Sequence, residues 1–299
     1  MAISTSQNVI FATVIKIDLP VLLLRIYFIT EKTINMLLRN KNAVIYGGGG
    51  DIGSAVARAF AREGAVVYLA GRNISTLQQV ANEIKADGGK AFTASVDALD
   101  QAAVNQHLQE IVDQAHQIDI VFNAISIPQQ GMQGVWMADL QPDDFMLPVV
   151  TYSRSNFITA SAAARHMIKQ GSGVILNISA TPARLAAPLA GGMATAWAAI
   201  ESISRTLAAE LGPHGIRVVC LRANAMPETA MVQNVLNIFT QAMGMKDSEE
   251  FKAAMESGTM LRRLPAIREI AHTAAFMASD NASAITGAVI NLSCGSIAD

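Results

Sequence analysis

Four consecutive glycines, Gly47 to Gly50, followed by Asp51, Ile52 and Gly53, are the stretch of this sequence best suited to hold a ligand. Ala43-Val44-Ile45-Tyr46 precedes them, an apolar run rich in β-branched residues that reads as a buried strand. Residues 54–62 follow with helical spacing and strong helix formers. Strand, glycine turn and helix together make the unit that cradles a dinucleotide. Glycines let the backbone approach a pyrophosphate, and the helix start offers unpaired N–H groups with a partial positive charge. Gly48, Gly50 and Gly53 satisfy G-x-G-x-x-G. The alternative is a glycine turn that joins strand to helix and holds nothing; the strand before and the helix after favour the ligand.

Composition narrows the setting. The chain has 299 residues, 51% of them hydrophobic and only 15% charged. That suits an α/β domain whose parallel sheet is covered on both faces. The net charge of −2 gives no reason to expect a nucleic-acid partner or an anionic surface. Cys220 and Cys294 are far apart and form neither a disulfide framework nor a zinc spacing, so no metal is expected.

Elements that would position the glycine turn recur along the chain. Strands are predicted at 66–70, 91–96, 118–122, 174–179, 217–221 and 288–292, and helices at 75–87, 101–116, 145–170 and 191–211. Such β-α repeats imply right-handed crossovers and one doubly wound, mostly parallel, seven-stranded sheet in a single domain from 41 to 299. The methionine-rich insertion 231–258 is expected to be helical, as a lid over a pocket or as plain packing. Residues 1–40 stand outside this pattern as an N-terminal extension. Lys16, Asp18, Pro20 and Arg25 break its apolar stretch short of a membrane span, and a signal-peptide layout is lacking. The functional chain is expected to start near Met36, with an interfacial anchor as the rival reading, and to be cytoplasmic.

From residue 41 onward the sequence resembles the short-chain dehydrogenase/reductase family. The resemblance rests on the glycine turn, Gly71-Arg72, Asp97, Asn123-Ala124, Asn177-Ile178-Ser179, the block 207–218 and the C-terminal block 278–287. It implies a cofactor site at Gly47, Gly48, Gly50, Ile52, Gly53, Arg72, Asp97, Ala98, Asn123 and Ala124, with Thr229 reaching a nicotinamide carboxamide. An arginine at the end of the second strand suits a 2′-phosphate where an acid would suit a ribose hydroxyl, so NADP is favoured over NAD. The family's spacing would place glycine at 51, where this chain has Asp51. Its carboxylate is expected to cap the helix through the N–H groups a phosphate would use, and also to repel a pyrophosphate. The long helices from 145 and 191 imply a homodimer or homotetramer.

The same resemblance assigns the reaction to a serine, a tyrosine thirteen residues on, a lysine four further, and an asparagine on an earlier helix. The tyrosine would exchange the proton and the lysine would lower its pKa. Those places fall on Ala180, Met193, Trp197 and Tyr152. The four tyrosines are Tyr27, Tyr46, Tyr68 and Tyr152, and no lysine lies between Lys169 and Lys246, so no shift of register restores the set. Ser179, Thr181 and Tyr152 are the nearest substitutes. Three functions follow: a dinucleotide-binding protein poor in ordinary carbonyl reduction; an oxidoreductase whose acid is Tyr152 or water, acting on an unusual small molecule; and a lyase or isomerase reusing the pocket.

Overall fold

The structure is a computed structural model and describes residues 36–298. Strands and helices alternate as β1 (Asn42–Tyr46), α1 (Asp51–Arg62), β2 (Val66–Gly71), α2 (Ile74–Ala86), β3 (Lys90–Ser95), α3 (Gln101–Ala115), β4 (Ile120–Asn123), α4 (Pro142–Gln170), β5 (Gly173–Ala180), α5 (Gly192–Leu211), β6 (Ile216–Ala223), α6 (Ala230–Met243), α7 (Ser248–Ser257), α8 (Ile267–Ala278) and β7 (Val289–Leu292). All six strand pairings are parallel, in the order β3-β2-β1-β4-β5-β6-β7. The doubly wound sheet expected from the sequence is therefore present.

Alternating side chains feed two cores. Ala43 and Ile45 of β1 pack with Phe60 of α1 and Ile270 of α8, while Val44 and Tyr46 pack with Leu108 of α3 and Ala163 of α4. A strand buried on both faces has to be apolar at successive positions, which is why β1 reads as a continuous run. Helix starts are set locally: Asn73 caps α2 and Asp100 caps α3 through their side-chain oxygens.

Several boundaries move for local reasons. β4 begins at Ile120 rather than 118, because the Ile118 N–H goes to Gln170 Oε1 at 3.1 Å instead of to a ladder. α4 begins at Pro142, a residue already shaped for a first helical turn. β6 runs on to Ala223 because Arg222 keeps its register with Ser179 and Asn291. The insertion is two helices, α6 and α7, separated at Gly244, which has φ +64. The extension expected over 1–40 lies, up to residue 35, outside the described residues; Leu38 is fully buried in the core.

From β1 the chain winds toward β3, and from β4 it winds toward β7. The turn after β1 and the loop after β4 diverge at this switch point, opening a crevice at the carboxyl ends of the strands.

Candidate functional site

Two cavities fill that crevice and share Ala124, Ile125 and Ser126 as their common wall. The first, about 690 Å³, lies over the turn after β1. Gly47 has φ +78, and a Cβ there would stand 2.3 Å from the Ala124 carbonyl oxygen. A Cβ at Gly53 would stand 2.2 Å from the Gly47 oxygen, so this glycine lets α1 close on the turn. Gly50 differs: a Cβ would meet nothing nearer than 3.5 Å, so its open side faces space for a ligand.

The N-terminus of α1 is free for an anion. Ser54 makes the first intrahelical bond, to the Gly50 oxygen at 2.8 Å, which leaves the N–H groups of Asp51, Ile52 and Gly53 without an intrahelical acceptor. No side chain caps this helix. The expected cap by Asp51 is corrected here: its Oδ2 instead accepts from the Ala230 N–H at 3.0 Å, tying the glycine turn to the start of α6. The cradle thus fits a diphosphate, with three N–H groups available and an open glycine beside them.

Gly47, Gly50, Arg72, Asp97, Ala98 and Ala124 line this first cavity. Arg72 is exposed at the end of β2, and Asp97 Oδ1 accepts from the Leu99 N–H at 3.0 Å. Ile52 lines the second cavity instead, and Gly48, Gly53, Asn123 and Thr229 line neither. Asn123 is fully engaged inside: it donates to Asn177 Oδ1 and accepts from Thr159 Oγ1, both at 2.8 Å, joining β4 to β5 and α4. Thr229 caps α6, accepting from Val232 N–H and donating to the Met226 oxygen.

The second cavity, about 490 Å³, lies between the ends of β5 and β6, the loop 181–190, and helices α6 and α7. Ala180, Trp197 and Tyr152 all line it. Met193 does not: it is fully buried in a small cluster with Tyr152, Ala196 and Ile200, against which Trp197 packs. Burial raises the Tyr152 pKa to about 12, partly offset by a backbone hydrogen bond from Ile127. Among the described residues Tyr152 is the one side chain bordering this cavity with an ordinary acid–base function, and at neutral pH it is protonated.

A family model described as enoyl-(acyl carrier protein) reductase matches residues 49–296. The chain belongs to the short-chain dehydrogenase/reductase family. It is 30% identical over 260 residues to a 3-oxoacyl-[acyl-carrier-protein] reductase of Chlamydia trachomatis, covering 87% of this chain and 98% of that one. An NAD+-bound xylitol dehydrogenase superposes with a TM-score of 0.81 at 25% identity, covering 86% of this chain and 99% of that one. A gluconate 5-dehydrogenase of Burkholderia cenocepacia, in complex with NADP and tartrate, does so with a TM-score of 0.77 at 25% identity, over 88% and 98% of the two chains. Solved relatives of this short-chain dehydrogenase/reductase thus hold NAD+ in one case and NADP in another.

Beneath the second cavity, this family member carries a group that sequence reasoning missed. Ser179 and Arg222 are cross-strand neighbours on β5 and β6. Both point to Glu201 of α5: Ser179 Oγ donates to Oε1 at 2.8 Å, while Arg222 donates through Nε to Oε1 at 2.7 Å and through Nη2 to Oε2 at 2.8 Å. All three are buried. The hydroxyl of Ser179 is thereby committed to Glu201, and Thr181 Oγ1 lies 3.4 Å from Asn224 Oδ1. An acid four residues after Trp197, on a helix face whose other buried residues are apolar save Ser204, was the available signal. Under the first cavity, Tyr46 Oη lies 3.4 Å from His107 Nδ1, and burial lowers the His107 pKa to about 4.

Proposed function

We propose that this protein binds a nicotinamide dinucleotide, NADP before NAD, and is poor at ordinary carbonyl or alcohol hydride transfer. The observation that carries the reading is the contrast at the crevice. The glycine cradle and Arg72 suit a phosphate-rich ligand, while Ala180, Met193 and Trp197 occupy the places where the family pattern calls for serine, tyrosine and lysine. A bound dinucleotide supplies hydride. The chain itself has to supply a proton and hydrogen bonds at the carbonyl oxygen as its charge develops. Alanine and methionine have no proton to donate, and the indole N–H of Trp197 does not titrate.

Gly47 and Gly50 would border the diphosphate, with Gly53 letting α1 close on the turn and Ile52 donating its free N–H, Asp97, Ala98 and Ala124 would border the adenosine side with Asn123 bracing β4 behind them, and Arg72 would meet a 2′-phosphate. Thr229 would sit near the nicotinamide end while capping α6. The assembly proposed is a homodimer or homotetramer in the cytoplasm. Exposed Leu147, Val150 and Phe157 on α4, at helical spacing, supply an apolar strip for that contact. Among the described residues no helix is long and apolar enough to cross a membrane.

A second reading has one observation in its favour. Tyr152 borders the second cavity and is protonated at neutral pH, so it has a proton to give. At a pKa near 12 it yields that proton roughly 100-fold less readily than an ordinary phenol. Calorimetric titration with NADPH and NADH, followed by turnover assays on simple ketones, tests both readings. Tight NADPH binding with negligible turnover is expected. Robust turnover by the unmutated protein overturns the first reading, and its loss in Tyr152→Phe then assigns the acid.

A further inference from the structure

The Asp51 carboxylate stands between two helix starts. Asp51 is the first residue of α1, and its Oδ2 accepts at 3.0 Å from the N–H of Ala230, the first residue of α6. Orphan N–H groups and the positive end of the helix dipole favour an anion at each start. Among the described residues no cation pairs with this carboxylate, so the two helix ends are its countercharge. An external anion on the glycine cradle would use the free N–H groups of Asp51, Ile52 and Gly53. One of those belongs to Asp51 itself, so covalent geometry places that anion beside the carboxylate.

Helix α6 is lightly held. Of its 14 residues only Val232, Leu236 and Thr240 are buried, and α7 behind it buries none. Among the described residues, two hydrogen bonds join α6 to elements outside its own loop. One is the charge-assisted bond from Ala230 to Asp51; the other is the 3.5 Å contact of Gln129 Nε2 with the Met231 sulfur, a weak acceptor. Met231, Val232, Val235, Leu236 and Phe239 of α6 wall the second cavity, and so does Ile52, the neighbour of Asp51. A single side chain therefore joins the anion cradle of the first cavity to the wall of the second.

Resting on the proposed reading of the first cavity as a dinucleotide site, we infer that Asp51 is a charge-operated latch between the two cavities. With the cradle empty, its carboxylate holds the start of α6. A diphosphate on the N–H groups of α1 repels the carboxylate and takes over the helix end that stabilised it. Asp51 then lets go of Ala230, and α6 loosens over the second cavity. Dinucleotide binding and docking of α6 are thus antagonistic, and each weakens the other by the same factor. A glycine at 51, where the family's spacing calls for one, would have no such latch.

Amide hydrogen exchange of α6 in the full chain, read with and without NADPH and alongside an NADPH titration, tests this. In the unmutated protein NADPH should speed exchange in α6 by about tenfold. Asp51→Ala should show that faster exchange without ligand, gain no more from NADPH, and bind NADPH about tenfold more tightly. Asp51→Asn keeps an oxygen acceptor of the same shape but no charge. Its α6 should stay protected with and without NADPH, while its NADPH affinity rises as in Asp51→Ala; a merely structural role for Asp51 would not give that split. Exchange in α6 left unchanged by Asp51→Ala, or slowed by NADPH in the unmutated protein, overturns the latch. Equal NADPH affinity in all three proteins overturns the latch alone, whereas no NADPH binding by any of them overturns the dinucleotide reading and the latch with it.

Discussion

The cavity over the glycine turn and the cavity under α6 and α7 share a wall, yet they are made of different materials. The first offers three free helix N–H groups, an open Gly50 and the cation of Arg72. Among the described residues the second offers no charge, and their one ordinary acid–base group there is a tyrosine whose pKa burial has moved to about 12. Binding an anion needs donors fixed in space, which backbone supplies whatever the side chains do. Proton transfer needs particular side chains with tuned pKa values, which a few substitutions remove. On the proposed reading, capacity to bind and capacity to react therefore separate within one fold.

The strongest way to break this contrast is to return reacting groups to 180 and 197, which line the second cavity, and to 193, buried behind it. Ala180→Ser, Met193→Tyr and Trp197→Lys together should raise NADPH-dependent ketone turnover by about 10²- to 10⁴-fold, the usual worth of general acid catalysis. Unchanged turnover, with fold and NADPH binding retained, would show that something other than missing donors limits the chemistry. Met193 is fully buried, so circular dichroism must accompany the assay.

Next in size is the buried pair below that cavity. Glu201→Leu removes the buried carboxylate that accepts from both Arg222 and Ser179, and should cost about 3–5 kcal/mol in chemical denaturation. A loss under 1 kcal/mol would mean the pair is not a support of the floor formed by β5 and β6.

On the other side of the wall, Arg72→Ala should weaken NADP by about 1.5–3 kcal/mol, roughly ten- to hundredfold, and leave NAD nearly unchanged. Equal losses for both would remove the 2′-phosphate role from Arg72.

A comparable effect concerns pH. His107 has a folded pKa of about 4 against 6.5 in the unfolded chain, because burial disfavours its cation. Between those values the unfolded state binds more protons, so this group stabilises the fold above pH 6.5, and that contribution is lost as pH falls toward 4. The expected loss by pH 4 is about 3 kcal/mol. Denaturation midpoints from pH 7 to pH 4 should fall less steeply in His107→Gln, and parallel profiles would assign the acid sensitivity elsewhere.

Much of this was legible before any coordinates. Strand–helix alternation follows from local periodicity, and the glycine turn is visible because Gly47 and Gly53 have to lack a Cβ where backbone meets backbone. The places 180, 193 and 197 to which the resemblance assigns the reacting groups could be counted along the chain. Other features depend on residues that only folding brings together. Asp51 reaches Ala230, 179 positions away, rather than capping its own helix. Asn123 turns to Asn177 and Thr159 rather than to the crevice. Glu201 gains its meaning from Ser179 and Arg222 on two neighbouring strands. By itself, then, the sequence determined the elements, the anion cradle and the residues standing at 180, 193 and 197, since these are set by neighbours a few positions apart. Tertiary structure alone decided which polar groups are spent on one another and which, like Gln129 and Gln133, face a cavity, because pairing of buried polar groups is settled by distances that chain position does not encode.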